Sequence, residues 1–280
     1  MCVVNYYQKK TLGKEIVDGI CLYLNITEAD YFGCSYYEND YKFWLIPDKP
    51  VCKQITGENV YLEFGVKYYV ADPLSIEDDV ARSFLFLQVR KDIKSGRLPC
   101  SFVTLALLNS YFVQAYFGDY DDRYEFDVGY VREYLIDDRP TDEMIVKVVE
   151  LHKTHVGVSR LEAEKKFLDS AKGLTMYGVH MHNAFDMNVG RNVIIGICGR
   201  GVTIYDEKLR INDYPWQNTK LFWHSQDQFV LQITRQITES KDSKVVFRLP
   251  SKKHAKKLFK LTVDHHYYFR SVWLAGYLFS

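Results

Sequence analysis

The spacing of apolar residues changes period twice along the chain. Cys2 to Tyr7 reads as a strand, and after a turn at Gly13 the apolar Ile16, Val17, Ile20, Cys21 and Leu24 recur at helical spacing over Lys14 to Leu24. Short ring-rich strands follow at Tyr31-Phe32 and Phe43-Trp44-Leu45, split by the turn-prone Glu38-Asn39-Asp40, and Val60 to Val70 predicts another. This α+β unit closes near residue 70, because Pro73 disfavours helix at Asp72. From Ser75 the period is helical: Ile76, Val80, Phe84 and Leu87 predict the inward stripe of a helix stopped at Gly96. Ser101 caps a second helix to about Phe117. Thr141 opens a third, with Ile145, Val148, Val149 and His152 on one side, and Ser159-Arg160-Leu161-Glu162 reads as the capping box of a fourth.

After Gly173 the strand period returns. Val193 to Cys198, Val202 to Tyr205, Leu221 to Trp223, Phe229 to Ile233 and Val245 to Leu249 are separated by turns at Gly199-Arg200-Gly201, Asp206-Glu207 and Ser225-Gln226-Asp227. A final helix, capped by Ser251, carries Ala255, Leu258, Phe259, Thr262, Val263 and His266 on one face and lysines on another. Strands closed by one amphipathic helix predict a small barrel or sandwich plugged by that helix.

Composition sharpens this picture. With 47% apolar and 15% aromatic residues the 280-residue chain has ample material for ring-filled cores. Thirty-six basic and thirty-six acidic side chains cancel, so no global field recruits nucleic acid, and any anionic partner must meet a local patch. Such patches exist: residues 119 to 143 hold ten acids against three arginines, whereas residues 241 to 260 hold eight bases against Asp242. No apolar run approaches the ~20 residues of a membrane span, and Met1 to Val4 lacks the basic flank of a signal peptide, so a soluble intracellular chain is expected. Six scattered cysteines without a C-x-x-C fit reduced thiols.

Several segments together resemble a known family. These are Asn25 to Gly33 (Asn-Ile-Thr-Glu-Ala-Asp-Tyr-Phe-Gly), Gly96 to Phe102, Gln114 with Phe117 to Asp121, Met176 to Val179, and Ala255 to Lys260 followed by His265-His266. They are similar to the FERM domain, most of all in its protein 4.1 branch, and are collinear from about Cys2 to Arg270. The resemblance implies an α+β multi-lobe cloverleaf: a ubiquitin-like lobe over 1–70 with its first strand missing, a helical acyl-CoA-binding-protein-like lobe over 71–172, and a pleckstrin-homology-like lobe over 173–270. An atypical apolar tail, 271–280, follows. It also implies a membrane-cytoskeleton adaptor at the cell cortex, on the inner face of the plasma membrane. The implied partners are phosphoinositides, calmodulin, a membrane-associated guanylate kinase, and tails of the anion exchanger or glycophorin type. No segment resembles the spectrin-actin-binding region, so a direct actin link is not expected of this chain.

The search for an enzyme finds no G-x-S-x-G, no phosphate-binding G-x-x-x-x-G-K and no G-x-G-x-x-G, and neither a cofactor nor a resident metal is expected. The pairs His152/His155 and His180/His182 could each share a metal by spacing, but lack H-E-x-x-H or C-x-x-C company. A tyrosine phosphatase of the same family would need Cys-x5-Arg, and no cysteine here has it. The alternatives are therefore the targeting module of such a phosphatase, or a truncated protein 4.1 isoform competing for the same tails. The candidate lipid and calmodulin surface is Lys252, Lys253, Lys256, Lys257 and Lys260, to which the resemblance adds Lys53. A solvated outer helix face is the competing reading. Glu28 and Asp30 are candidates for basic tails, and an exposed strand edge beside the last helix is a third docking place.

Overall fold

The computed structural model describes residues 10–39, 41–55, 61–121, 129–132, 134–137, 139–234 and 243–278, the last eight as backbone only. The strand expected at Cys2 to Tyr7 lies outside them. Two compact units, Met1–Tyr177 and Gly178–Ser280, divide the chain.

In the first unit, helix α1 (Gly13–Tyr23) buries Ile16, Ile20 and Cys21 against an antiparallel sheet. Strands β1 (Phe32–Glu38), β2 (Tyr41–Trp44) and β3 (Glu63–Val66) lie in the order β2-β1-β3. Asn39, at φ 48°, makes the β1–β2 turn, a left-handed conformation that asparagine tolerates. Phe32 and Phe64 stack at 5.1 Å, and Phe84 meets both edge-on at about 6 Å. Three rings thus fasten the sheet to helix α2 (Asp79–Lys94).

Behind α2 pack α3 (Phe102–Phe117), the short α4 (Gly129–Arg132), α5 (Asp142–His152) and α6 (Arg160–Ala171). Their starts follow the expected caps: Ser101 Oγ accepts from the Thr104 amide, Thr141 Oγ1 from Met144 and Ser159 Oγ from Glu162. The box at Ser159 is only half used, since the Glu162 carboxylate pairs with Lys166 at 3.4 Å. The inward stripe of α2 differs from the expected one. Val80 and Leu87 are exposed, and the buried apolar residues are Ala81, Leu85, Phe86, Val89 and Ile93. Burial on two sides is the reason: Phe84 faces the sheet, whereas Phe86 contacts Phe112 and Phe167 in the helical core.

The second unit is a seven-stranded antiparallel sheet in the order β7-β6-β5-β4-β10-β9-β8. Its strands are β4 (His180–Asp186), β5 (Arg191–Cys198), β6 (Gly201–Asp206), β7 (Leu209–Pro215), β8 (Thr219–Ser225), β9 (Gln228–Ile233) and β10 (Ser243–Arg248). Strand β7 was not expected from the pattern, because an edge strand with exposed Leu209, Arg210, Asn212 and Asp213 carries no apolar alternation. Helix α7 (Lys252–Leu278) packs on β5, β8 and β9 through Ala255, Leu258, Leu261, Thr262, His265 and Phe269. The expected Phe259, Val263 and His266 flank that stripe, half-buried. In the apolar tail, residues 271–278 continue α7 as helix. Among the described residues no helix is long and apolar enough to cross a membrane.

Candidate functional site

Helix α7 begins where Ser251 Oγ lies 2.8 Å from His254 Nδ1 and the Ala255 amide donates to the Ser251 carbonyl at 3.1 Å. At 100° per residue, Lys252, Lys253, Lys256, Lys257 and Lys260 span an arc of about 140°. Lys252, Lys253 and Lys256 are exposed, while Lys257 and Lys260 are half-buried and Lys260 reaches Asp264 at 3.4 Å. The first turn holds no acid. Four of these cations therefore crowd the positive end of the helix dipole, where negative charge is the stable complement. Local helix stability does not favour such a placement, and an anionic surface does. Lys53 closes the 3-10 turn Val51–Lys53 in the first unit and is exposed.

The acidic candidates sit between α1 and β1. Asp30 is exposed, while Glu28 is half-buried and engaged: its Oε2 accepts from the Asp78 amide at 3.3 Å. Asp78 returns the connection. Its Oδ2 accepts from the Thr27 amide at 2.6 Å and the Thr27 hydroxyl at 2.8 Å, while its Oδ1 caps α2 through Val80 and Ala81. Burial alone would raise the Asp78 carboxyl, but these hydrogen bonds to the ionised form bring it down to about 2. Tyr31 is pushed up by burial and then by the charges of Glu28, Asp30 and Glu77. The charge at this loop thus includes Glu77 and Asp78, which lie some fifty residues further along the chain and which sequence spacing gave no reason to join to it.

The pair His152 and His155 is engaged elsewhere. His152 Nε2 lies 2.9 Å from the Gly118 carbonyl and His155 Nε2 lies 2.9 Å from Ser110 Oγ. His180 and His182 both lie on β4, and His180 meets the His265 ring edge-on. Among the described residues no cluster of three or more ligating side chains could hold a metal. Of the two sheet edges, β8 is the one beside α7. Its Phe222 and His224 contact Phe259, and Leu221 on the same strand is exposed.

Three family models match in order along the chain: the FERM N-terminal domain at 5–57, the FERM central domain at 71–182 and the FERM C-terminal PH-like domain at 188–273. Protein 4.1 of Bos taurus is 41% identical over 270 residues, covering 96% of the chain and 43% of that protein. The chain belongs to the FERM family, in its protein 4.1 branch. Band 4.1-like protein 3 of Homo sapiens is 42% identical over 264 residues, 94% of the chain and 24% of that protein. This FERM chain therefore spans less than half the length of those relatives. The FERM and C-terminal domain complex of Drosophila Merlin aligns with TM-score 0.83 at 21% identity over 97% of the chain and 94% of that structure, a likeness of fold. The α+β FERM architecture, with its PH-like sheet lobe, is the one expected from the sequence.

Proposed function

We propose that this FERM chain is a non-enzymatic adaptor. In this reading it holds the cytoplasmic tails of membrane proteins and phosphoinositide headgroups at the inner face of the plasma membrane, linking them to the cytoskeleton. The observation that carries the reading is the lysine arc at the start of α7, five cations with no acid in the first turn. Anionic lipid neutralises both the side chains and the helix end. The same basic amphipathic face suits calmodulin. Glu28 and Asp30 supply opposite charge for basic tails of the anion exchanger or glycophorin type, and a membrane-associated guanylate kinase is a further partner of the assembly.

The test is sedimentation with phosphoinositide vesicles. Lys256→Glu with Lys257→Glu should lower affinity by about thirtyfold or more, since each basic residue near an anionic surface contributes about 1 kcal/mol. Added salt should weaken the wild type. Placing a lysine at the exposed Cys52, beside Lys53, should strengthen binding if the first unit also contacts lipid. Unchanged binding by the folded double variant would leave the lysines as a solvated face.

A further inference from the structure

One end of the sheet in the second unit carries two turns side by side. Hairpin β4–β5 turns through Met187, Asn188, Val189 and Gly190, and hairpin β6–β7 turns through Glu207 and Lys208. Arg191 Nη1 lies 3.1 Å from Asp206 Oδ2, which joins the bases of the two turns. Turn positions ordinarily go to small polar residues. Here Met187 is 43%, Val189 65% and Leu209 69% exposed. Single exposed apolar side chains are ordinary, but three on adjoining turns form a patch. The first turn is also built to hold its shape. The buried Asp186 accepts at Oδ1 from the Asn188 amide at 2.8 Å and the Val189 amide at 3.1 Å, and its carbonyl accepts from the Gly190 amide at 2.8 Å. Asn188 clips the turn to β10, its Oδ1 accepting from the Val246 amide at 2.8 Å and its Nδ2 donating to the Lys244 carbonyl at 3.2 Å. Positive charge surrounds the patch. Among the exposed, described residues of this end, Lys208, Arg210 and Lys244 outnumber Glu207 once Arg191 is set against Asp206.

We infer that these two turns are a membrane-contacting surface, in which Met187, Val189 and Leu209 enter the boundary between headgroups and acyl chains while Lys208, Arg210 and Lys244 meet anionic headgroups. These residues are not the α7 lysines, so the inference goes beyond the lipid reading of that helix and stands apart from it. Charge and shape select a bilayer as the occupant. A protein partner buries an apolar centre from which charged residues are depleted, with charge kept to the rim. Here cations alternate with the apolar side chains, Lys208 and Arg210 standing on either side of Leu209, and an anionic leaflet takes both kinds at once. Turn tips protrude, so lipid headgroups can close around them without a preformed groove. Because hydrogen bonds already fix the β4–β5 turn, its insertion costs little ordering entropy. Three apolar side chains give reversible binding only, so the cations are the necessary second contribution.

The experiment uses the full chain and sedimentation with phosphatidylcholine vesicles, with and without phosphatidylserine, at low and high salt. Wild type should bind the anionic vesicles better and keep part of that binding at high salt, because apolar insertion is not screened. Met187→Ser with Val189→Ser and Leu209→Ser should lower affinity on the order of tenfold at both salts. Its circular dichroism and melting transition should be unchanged, since all three side chains lie on the surface. Leu209→Trp, which enlarges the apolar tip, should raise affinity severalfold. Lys208→Glu with Arg210→Glu should remove mainly the salt-sensitive part. A fluorophore on Val189→Cys, in a Cys2→Ser, Cys52→Ser and Cys100→Ser background, should be quenched by brominated acyl chains and shielded from aqueous iodide once vesicles are added. The inference is overturned if wild type binds neither vesicle, if the triple serine variant binds like wild type at both salts, or if the fluorophore stays open to iodide at saturating lipid. It is also overturned if the serine variant abolishes a concentration-dependent dimer while vesicle binding is unaltered, which would make a second copy the occupant. Lys256→Glu with Lys257→Glu separates the two readings. Loss in that variant alone removes the turns and keeps the helix, whereas loss in the serine variant alone keeps the turns and removes the helix.

Discussion

Acid should weaken the second unit through one histidine. His182, on β4, has its Nε2 buried without a hydrogen-bond partner, and burial, with a smaller contribution from the charge of His254, lowers its pKa from 6.5 to about 4. The unfolded chain takes up a proton as pH falls through about 6.5, whereas the folded chain does so only near 4, so stability drops with falling pH across that window. At about 1.4 kcal/mol per pKa unit the loss is about 3 kcal/mol. The assay is urea unfolding followed by tryptophan fluorescence, with Trp216 and Trp223 reporting on this unit, at several pH values between neutral and 4. His182→Phe cannot titrate and removes the unpaired nitrogen, so its stability should vary much less with pH. His182→Gln should also flatten the dependence, from a lower starting stability. A residual slope is expected from His266, which burial and then Arg270 hold below its usual range. If wild type and His182→Phe lose the same stability between neutral pH and 4, the histidine is not responsible and the reasoning fails.

Asp78→Ala should cost about 2–3 kcal/mol in thermal unfolding, because it removes the α2 cap and the acceptor for Thr27 together. The wild-type contribution of Asp78 should be present above pH 3.8 and be lost as pH falls toward 2, and Asp78→Asn should recover part of the loss at neutral pH. Gly196→Ala should cost about 1–3 kcal/mol: a Cβ there would overlap Val179 Cγ1 and lie 2.9 Å from Tyr205 Cε2, and Val179→Ala in the same chain should restore part of it.

Much of the fold can be read from local chemistry. Ser101, Thr141 and Ser159 each sit where a helix begins, because an N-cap is a contact within one turn and its partner is a few residues away. The α2 stripe could not be read that way. Its start is fixed by Asp78, which leaves Ile76 outside the helix, and burial on two sides erases the single-faced period. On α7 the buried His265 packs its ring against His180 and Phe269, with its Nδ1 3.0 Å from the Leu261 carbonyl, which accepts, so a polar residue occupies a core position that an apolar pattern passes over. For the site, the lysine arc is legible because it is one helix face. The coupling of Glu28 to Asp78 is not, since it depends on two segments fifty residues apart meeting in space.

The crowding of like charge at the start of α7 sets the free protein against itself. Lys252, Lys253, Lys256 and Lys257 crowd the positive end of a helix that carries no acid in its first turn, and Lys260, further along, pairs with Asp264 at 3.4 Å. In the absence of an anion this segment is electrostatically frustrated, at about 0.3–1 kcal/mol for each cation nearest the helix end. Salt should then act in opposite senses on one cluster: it firms the helix start of the free chain by screening the repulsion, and it loosens the chain's hold on an anionic surface by screening the attraction.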